Sequence, residues 1–138
     1  MFRRILVPID FTPPGDAALA LARSHFPDAE RRLLHVLDPK RIAADLTSSV
    51  SAKEERDGME ARELARMVEL ARDGETCTVR IGTAADGILH EAQAWGADLI
   101  VMGTHGRTGL AHFLNGSVAE TVVRLAKRPV LIEHDRAS

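Results

Sequence analysis

The sequence predicts a doubly wound α/β fold: an open five-stranded parallel sheet with helices on both faces, stacked as a three-layer α/β/α sandwich. Three observations carry this. Five short apolar runs recur along 138 residues. Stretches of helical periodicity fill the gaps between them, which is the pattern of successive right-handed βαβ units. Most of the runs are continuously apolar, as strands covered on both faces must be.

The elements follow in order. Arg4 to Asp10 (RILVPID) is a β-branched apolar run ending at an acid, and Pro13-Pro14-Gly15 follows as a turn and helix entry. Ala17 to Arg23 is rich in Ala and Leu, and Phe26-Pro27-Asp28 closes it, so the first helix is expected over residues 15–26. Arg32 to Leu37 is a second strand, cut by Asp38-Pro39. Residues 38–56 form the one long connection, without a firm period. Met59, Leu64, Met67, Val68 and Ala71 then recur at helical spacing, with Gly74 as the expected stop.

Cys77 to Gly82 alternates like a strand, and Ile88, Leu89, Ala92 and Trp95 mark one helical face before Gly96. Asp98 to Gly103 is a fourth strand. Val118, Val122, Leu125 and Ala126 mark a fourth helix, and Pro129 to Glu133 a fifth strand. No repeat or low-complexity linker interrupts this order, so residues 1–138 are expected to form one domain.

Composition narrows the function. With 18 basic and 20 acidic residues the net charge is −2, which offers no broad field for nucleic acid or anionic lipid. The five aromatic residues include no tyrosine, too few for a base-stacking platform. No apolar run is long enough to span a membrane, and the run after Arg3-Arg4 is too short for a signal peptide. Cys77 is the single cysteine, which excludes an intramolecular disulfide and multi-cysteine metal sites and fits a reducing cytoplasm.

In open parallel sheets ligands bind beyond the carboxyl ends of the strands. Asp10, Asp38, Gly82 and Gly103 are expected there. Gly103 opens the most informative stretch: Gly103-Thr104-His105-Gly106-Arg107-Thr108-Gly109, then Leu110 to Asn115, then Gly116-Ser117 leading into the fourth helix. Its glycines permit close backbone approach, Thr104, Thr108 and Ser117 supply hydroxyls and Arg107 a cation, all suited to a phosphate cradle. From composition alone the plainer reading stays open, with the glycines as turns and Ser117 as a helix cap. The stretch lacks the Walker lysine and follows the fourth strand, so it is neither a P-loop nor a dinucleotide fingerprint.

The spacing Gly103-x2-Gly106-x9-Gly116-Ser117 resembles the glycine motif of the ATP-binding branch of the universal stress protein family. The likeness extends over RRILVPIDFT, LLHVLDP, GTAADGILHEA and DLIVMGTHGRTGLAHFLNGSVAETVVRLAKRPVLI. It implies a five-stranded fold of the adenine nucleotide alpha hydrolase-like type and binding of ATP, ADP or AMP. By that resemblance Asp10 would bond the ribose or lie near the phosphates, while Pro8, Ile9 and Val36 would wall the adenine. Met102 and Gly103 would border the nucleoside, and Thr104, His105, Gly106, Arg107, Thr108 and Gly109 would follow the phosphates. Gly116, Ser117 and Val118 would offer backbone and hydroxyl donors, with Mg²⁺ or Mn²⁺ bridging the phosphates.

Two departures stand out. Phe-Thr-Pro-Pro at 11–14 replaces a small polar turn and would narrow the mouth beside Asp10, and Lys127-Arg128-Pro129 changes the charge before the last strand. The resemblance also implies a homodimer, and Val130 to Ile132 is an apolar strand that would pair edge to edge if outermost.

Other candidates carry less. His105 and His112 lack an acidic partner at ligand spacing, His35 reads as a hydrogen-bonded core residue, and Cys77 as a small buried one. No catalytic set emerges, so any ATP hydrolysis is expected to be slow. The leading expectation is a cytoplasmic ATP-binding stress sensor, with an unidentified protein partner as its output. The alternatives are a homodimeric interaction protein without nucleotide, or a slow ATPase.

Overall fold

The structure, a computed structural model, describes residues 1–40, 52–104 and 116–134. Within them lie β1 (Arg4–Pro8), α1 (Pro13–His25), β2 (Glu30–Leu37), α2 (Ala52–Leu70), β3 (Glu75–Ile81), α3 (Ala84–Trp95), β4 (Leu99–Thr104), α4 (Gly116–Leu125) and β5 (Val130–His134). All strand pairs are parallel, in the order β3-β2-β1-β4-β5. The expected alternation and sheet are therefore present.

The order explains why both faces are covered. From β1 the chain steps outward to β2 and β3, then returns across the sheet to β4 and steps outward again to β5. Right-handed crossovers in opposite directions put their helices on opposite faces. One core layer joins Ile5, Val7, Ile9, Leu33 and Val101 to Ala18, Leu19 and Ala22 of α1 and Met67 of α2. The other joins Leu6, Leu34, Val36, Ile100 and Met102 to Ile88 and Ala92 of α3 and Ala119 and Val122 of α4. Alternate residues of one strand thus serve opposite layers, as the pleat requires.

The boundaries shift for local reasons. β1 ends at Pro8 rather than Asp10, although the Ile9 amide still reaches the Leu34 carbonyl at 2.7 Å. α1 begins two residues earlier than expected, because proline at the first helical positions gives up only N–H groups that have no partner there. Gly74 does not cap α2, which stops at Leu70. It is the third residue of a turn closed by the Glu75 amide on the Arg72 carbonyl (3.0 Å), and its φ of 81° suits that position. Gly96 does end α3, in the left-handed conformation with its amide on Ala92. Ser117 falls inside the first turn of α4 and not ahead of it.

Ion pairs tie β2 and β3 to α1 and α3. Glu75, its side chain wholly buried, accepts Arg23 and Arg31 at 2.7 Å each. Glu91 accepts Arg32 at 2.8 Å and Arg80 at 2.6 Å, with the Arg32 guanidinium over the Trp95 ring at 4.7 Å. Among the described residues no helix is long and apolar enough to cross a membrane.

Candidate functional site

β1 and β4 are neighbours, yet the chain leaves them toward opposite faces of the sheet. A crevice at their carboxyl ends follows from the topology, because the connections diverge there. Pro8, Ile9 and Asp10 lie at the end of β1, and Met102, Gly103 and Thr104 at the end of β4. Val36 is near the end of β2, on the other side of β1. The fold therefore gathers these residues along one edge. His105, Gly106, Arg107, Thr108 and Gly109, and His112 with them, lie outside the described residues.

Burial separates what they can offer. Ile9 and Met102 have no exposed surface and Val36 is 3% exposed, each packed in the core. Pro8 and Thr104 are also buried. Their contribution to a ligand at this edge is main chain and wall. Asp10 differs. Its Oδ1 accepts the Thr12 amide at 3.1 Å and the Thr12 hydroxyl, while Oδ2 is buried with no hydrogen-bond partner among the described residues. A buried carboxylate oxygen left unpaired costs about 1–3 kcal/mol, so this atom is fitted to receive a donor such as a sugar hydroxyl.

Gly103 meets a further demand. A Cβ built on it would stand 2.1 Å from the Pro14 carbonyl oxygen and 2.4 Å from its carbon. The first turn of α1 presses its backbone against the end of β4, and only a residue without a side chain allows it. Pro14 is thus part of how α1 is seated on the switch point.

The helix N-termini are unequal. α1 has Pro13 and Pro14 in place of two amide donors and carries Asp16 in its first turn, whose pKa is raised by burial and by the nearby Asp10 charge. α2 begins with Glu54 and Glu55, and α3 has Asp86. α4 alone among these helices has no acid in its first turn, where Gly116, Ser117 and Val118 supply the amides. Its positive dipole end is the one suited to anionic groups.

His35 confirms the reading of a packed strand histidine. It is 7% exposed, and its Nδ1–H donates to the Ile9 carbonyl at 2.7 Å. Burial holds its pKa below the ordinary value, outweighing the Ile9 carbonyl and the Glu63 and Asp10 charges. Cys77 is half-buried with its thiol pKa raised by burial and then by Glu75, which suits an inert residue.

The sequence did not reveal the surroundings of Phe11. Its φ is 61°, a left-handed conformation that costs a side-chain-bearing residue about 1–2 kcal/mol. Its ring lies against His35 (centroids 5.1 Å) and under the guanidinium of Arg66 (3.7 Å). Residues 11, 35 and 66 belong to three separate segments, and no spacing joins them. The Asp10–Thr12 bond was within reach of local reasoning, since an aspartate commonly bonds the amide two residues on.

Among the described residues no group of three or more His, Cys, Asp or Glu could hold a metal ion.

Comparison with known proteins bears on the family and the fold. The family model of the universal stress protein family matches residues 1–134. Universal stress protein MJ0577 of Methanocaldococcus jannaschii is 31% identical, with 96% of this chain and 94% of that protein covered. Its solved structure superposes with a TM-score of 0.79 at 26% identity, over 100% of this chain and 99% of the other. A universal stress protein in complex with cAMP shares the fold at TM-score 0.62 and 20% identity, covering 96% and 97% of the two chains. An Arabidopsis thaliana family member with AMP bound does so at 0.63 and 17%, covering 98% and 93%. With a family model spanning nearly its whole length, and a five-stranded parallel sheet that superposes on solved members, this chain belongs to the universal stress protein family.

Proposed function

We propose that this protein binds an adenine nucleotide, with ATP as the leading candidate, across the carboxyl ends of β1 and β4, and that occupancy signals in stress adaptation. The observation that carries the reading is the buried Oδ2 of Asp10 at the switch point, which has no partner among the described residues. Asp10 accepts from the ribose, and the main chain at Pro8, Ile9, Val36, Met102 and Gly103 borders the base and sugar. The phosphates run toward Gly116, Ser117 and Val118 at the acid-free start of α4. Mg²⁺ or Mn²⁺ would sit between phosphate oxygens and supply charge neutralisation there. The AMP and cAMP carried by two family structures support the ligand class.

Among the described residues Asp10 is the acid with a buried oxygen open to a ligand, and nothing about it marks a general base for phosphate chemistry, so we expect hydrolysis to be slow or absent. The whole chain acts as one unit, and its lone cysteine suits a reducing cytoplasm. Titration calorimetry on nucleotide-free protein with Mg²⁺ should show saturable ATP binding. Asp10→Asn should weaken it roughly thirtyfold, about 2 kcal/mol for a hydrogen bond to a charged acceptor. No heat of binding in the parent protein would remove the proposal.

A second reading has its own observation. β5 is outermost in the sheet, Leu131 on it is 37% exposed, and Val123 and Leu125 of the adjoining α4 are more than half exposed. An apolar edge strand invites pairing with a second copy through Val130 to Ile132. Light scattering at micromolar concentration should give twice the monomer mass, and Leu131→Lys should return the monomer mass. A parent protein that is monomeric throughout would dismiss this reading.

A further inference from the structure

Asp10 is held from both sides by the same cluster. The residue before it, Ile9, gives its carbonyl to His35 Nδ1–H at 2.7 Å. The residue after it, Phe11, is in the left-handed conformation with its ring in contact with both the His35 imidazole and the Arg66 guanidinium. His35 is fixed in β2, but Arg66 comes from α2 and its side chain is 55% exposed. Glu63, one turn earlier, joins them: its Oε2 takes Arg66 Nη1 at 3.3 Å and stands 3.8 Å from His35 Nε2. A left-handed residue bearing a large side chain persists only where its surroundings over-determine it. Here they bear on the ring. Beside it lies a recess of about 420 Å³ lined by Phe11, Asp16, Arg66, Glu69 and Leu70. The ring therefore has somewhere to swing, and the cation stacked on it opposes that movement.

We infer that Arg66 is a positioning residue for the candidate nucleotide site: stacked on Phe11, it keeps residue 11 left-handed and so keeps the Asp10 carboxylate turned inward. The inference rests on the nucleotide reading for its consequence, but its mechanism lies in this chain alone. If residue 11 relaxes to an extended conformation, the peptide between Asp10 and Thr12 rotates. The Thr12 amide then leaves Oδ1, and Asp10 loses the bond that orients it. α2 also meets the core through Met67 and Leu70, so a helix remote from β1 along the chain bears on the acid at the end of that strand.

The test uses Arg66→Ala, Arg66→Lys, Phe11→Ala and the double variant of Arg66→Ala with Phe11→Ala. In ligand-free protein, the one-bond Cα–Hα and three-bond HN–Hα couplings of residue 11 read its φ by NMR. Arg66→Ala should move them away from left-handed values, and Arg66→Lys, which keeps a cation over the ring, should not. In calorimetry with ATP and Mg²⁺, Arg66→Ala should weaken binding about tenfold, with Arg66→Lys within about threefold of the parent. The double variant should bind no more weakly than Phe11→Ala alone.

Unchanged couplings in Arg66→Ala overturn the inference whatever the nucleotide does. Moved couplings with unchanged ATP affinity overturn its link to the site. Losses that add in the double variant mean that Arg66 acts without Phe11, which also overturns it. A parent protein that binds no ATP disposes of the proposed function, while the couplings still decide whether Arg66 sets the conformation at residue 11.

Discussion

Gly103→Ala should destabilise the protein by about 3 kcal/mol or more and disrupt the native packing of α1, and with it the proposed nucleotide binding. The added methyl would stand 2.1 Å from the Pro14 carbonyl oxygen and 3.0 Å from the Gly15 nitrogen. Both are backbone atoms of the first turn of α1, so no rotamer change relieves the clash. Either α1 lifts from β4 or the end of β4 bends, and the two elements define one wall of the crevice. Two other glycines calibrate the effect. At Gly87 the new methyl would meet Val36 Cγ2 at 2.7 Å, a side chain that can shift, and the cost should be about 1 kcal/mol. At Gly58 nothing lies within 4 Å, and alanine in the middle of α2 should stabilise by about 0.5–1 kcal/mol. Urea denaturation of the three variants should rank Gly58 above parent, then Gly87, then Gly103. A Gly103→Ala protein as stable as the parent would contradict the close seating of α1.

Glu75→Gln should cost about 3 kcal/mol at neutral pH, and the difference from the parent should shrink in acid. The carboxylate accepts Arg23 Nε at 2.8 Å and Nη2 at 2.7 Å, Arg31 Nε at 2.7 Å and the Arg72 amide at 2.8 Å. Burial alone would raise its pKa, but the Arg23 and Arg31 bonds and the Arg72 amide prevail and lower it to about 2 from 4.5. The unfolded chain therefore takes up this proton first. The stabilisation is complete above pH 4.5 and is lost as pH falls from there toward 2. Glutamine offers one acceptor oxygen and turns an NH₂ toward guanidinium groups that are only 8–15% exposed. Denaturant melts of both proteins between pH 7 and pH 2.5 should converge at the acid end; a constant gap would refute the role given to Glu75. His35 acts in a separate window. Its folded pKa lies below 6.5, so the unfolded state protonates first and stability falls as pH drops through about 6.5. That step persists in Glu75→Gln and identifies itself by position.

Much of this was open to sequence reasoning, and the reasons are local. Leu33-Leu34-His35-Val36-Leu37 could only be a strand buried on both faces, and the structure covers it on both. Gly96 was legible as a helix stop because a left-handed residue there has few alternatives. Gly74 misled because the same residue type also serves turns, and the turn before β3 claimed it. Asp10 was recognisable as an acid at a strand end, and its bond to Thr12 is a short-range habit of aspartate. The stack of Arg66, Phe11 and His35 was not legible, because its members meet only once α2 has packed beside β2.

Sequence by itself determined the number and order of the strands, the two-sided burial of the sheet, the family motif and the acid at the end of β1. These depend on side-chain polarity, backbone preference and spacing within a few residues, all of which are properties of a short stretch of chain. Tertiary structure decided that β1 and β4 lie side by side, that Gly103 must be bare because Pro14 presses on it, and that one oxygen of Asp10 is buried without a partner among the described residues. It also made β5 the outer edge and brought Arg66 over Phe11. Each of those facts is a distance between residues remote along the chain, and such distances exist only after the crossovers have chosen their faces.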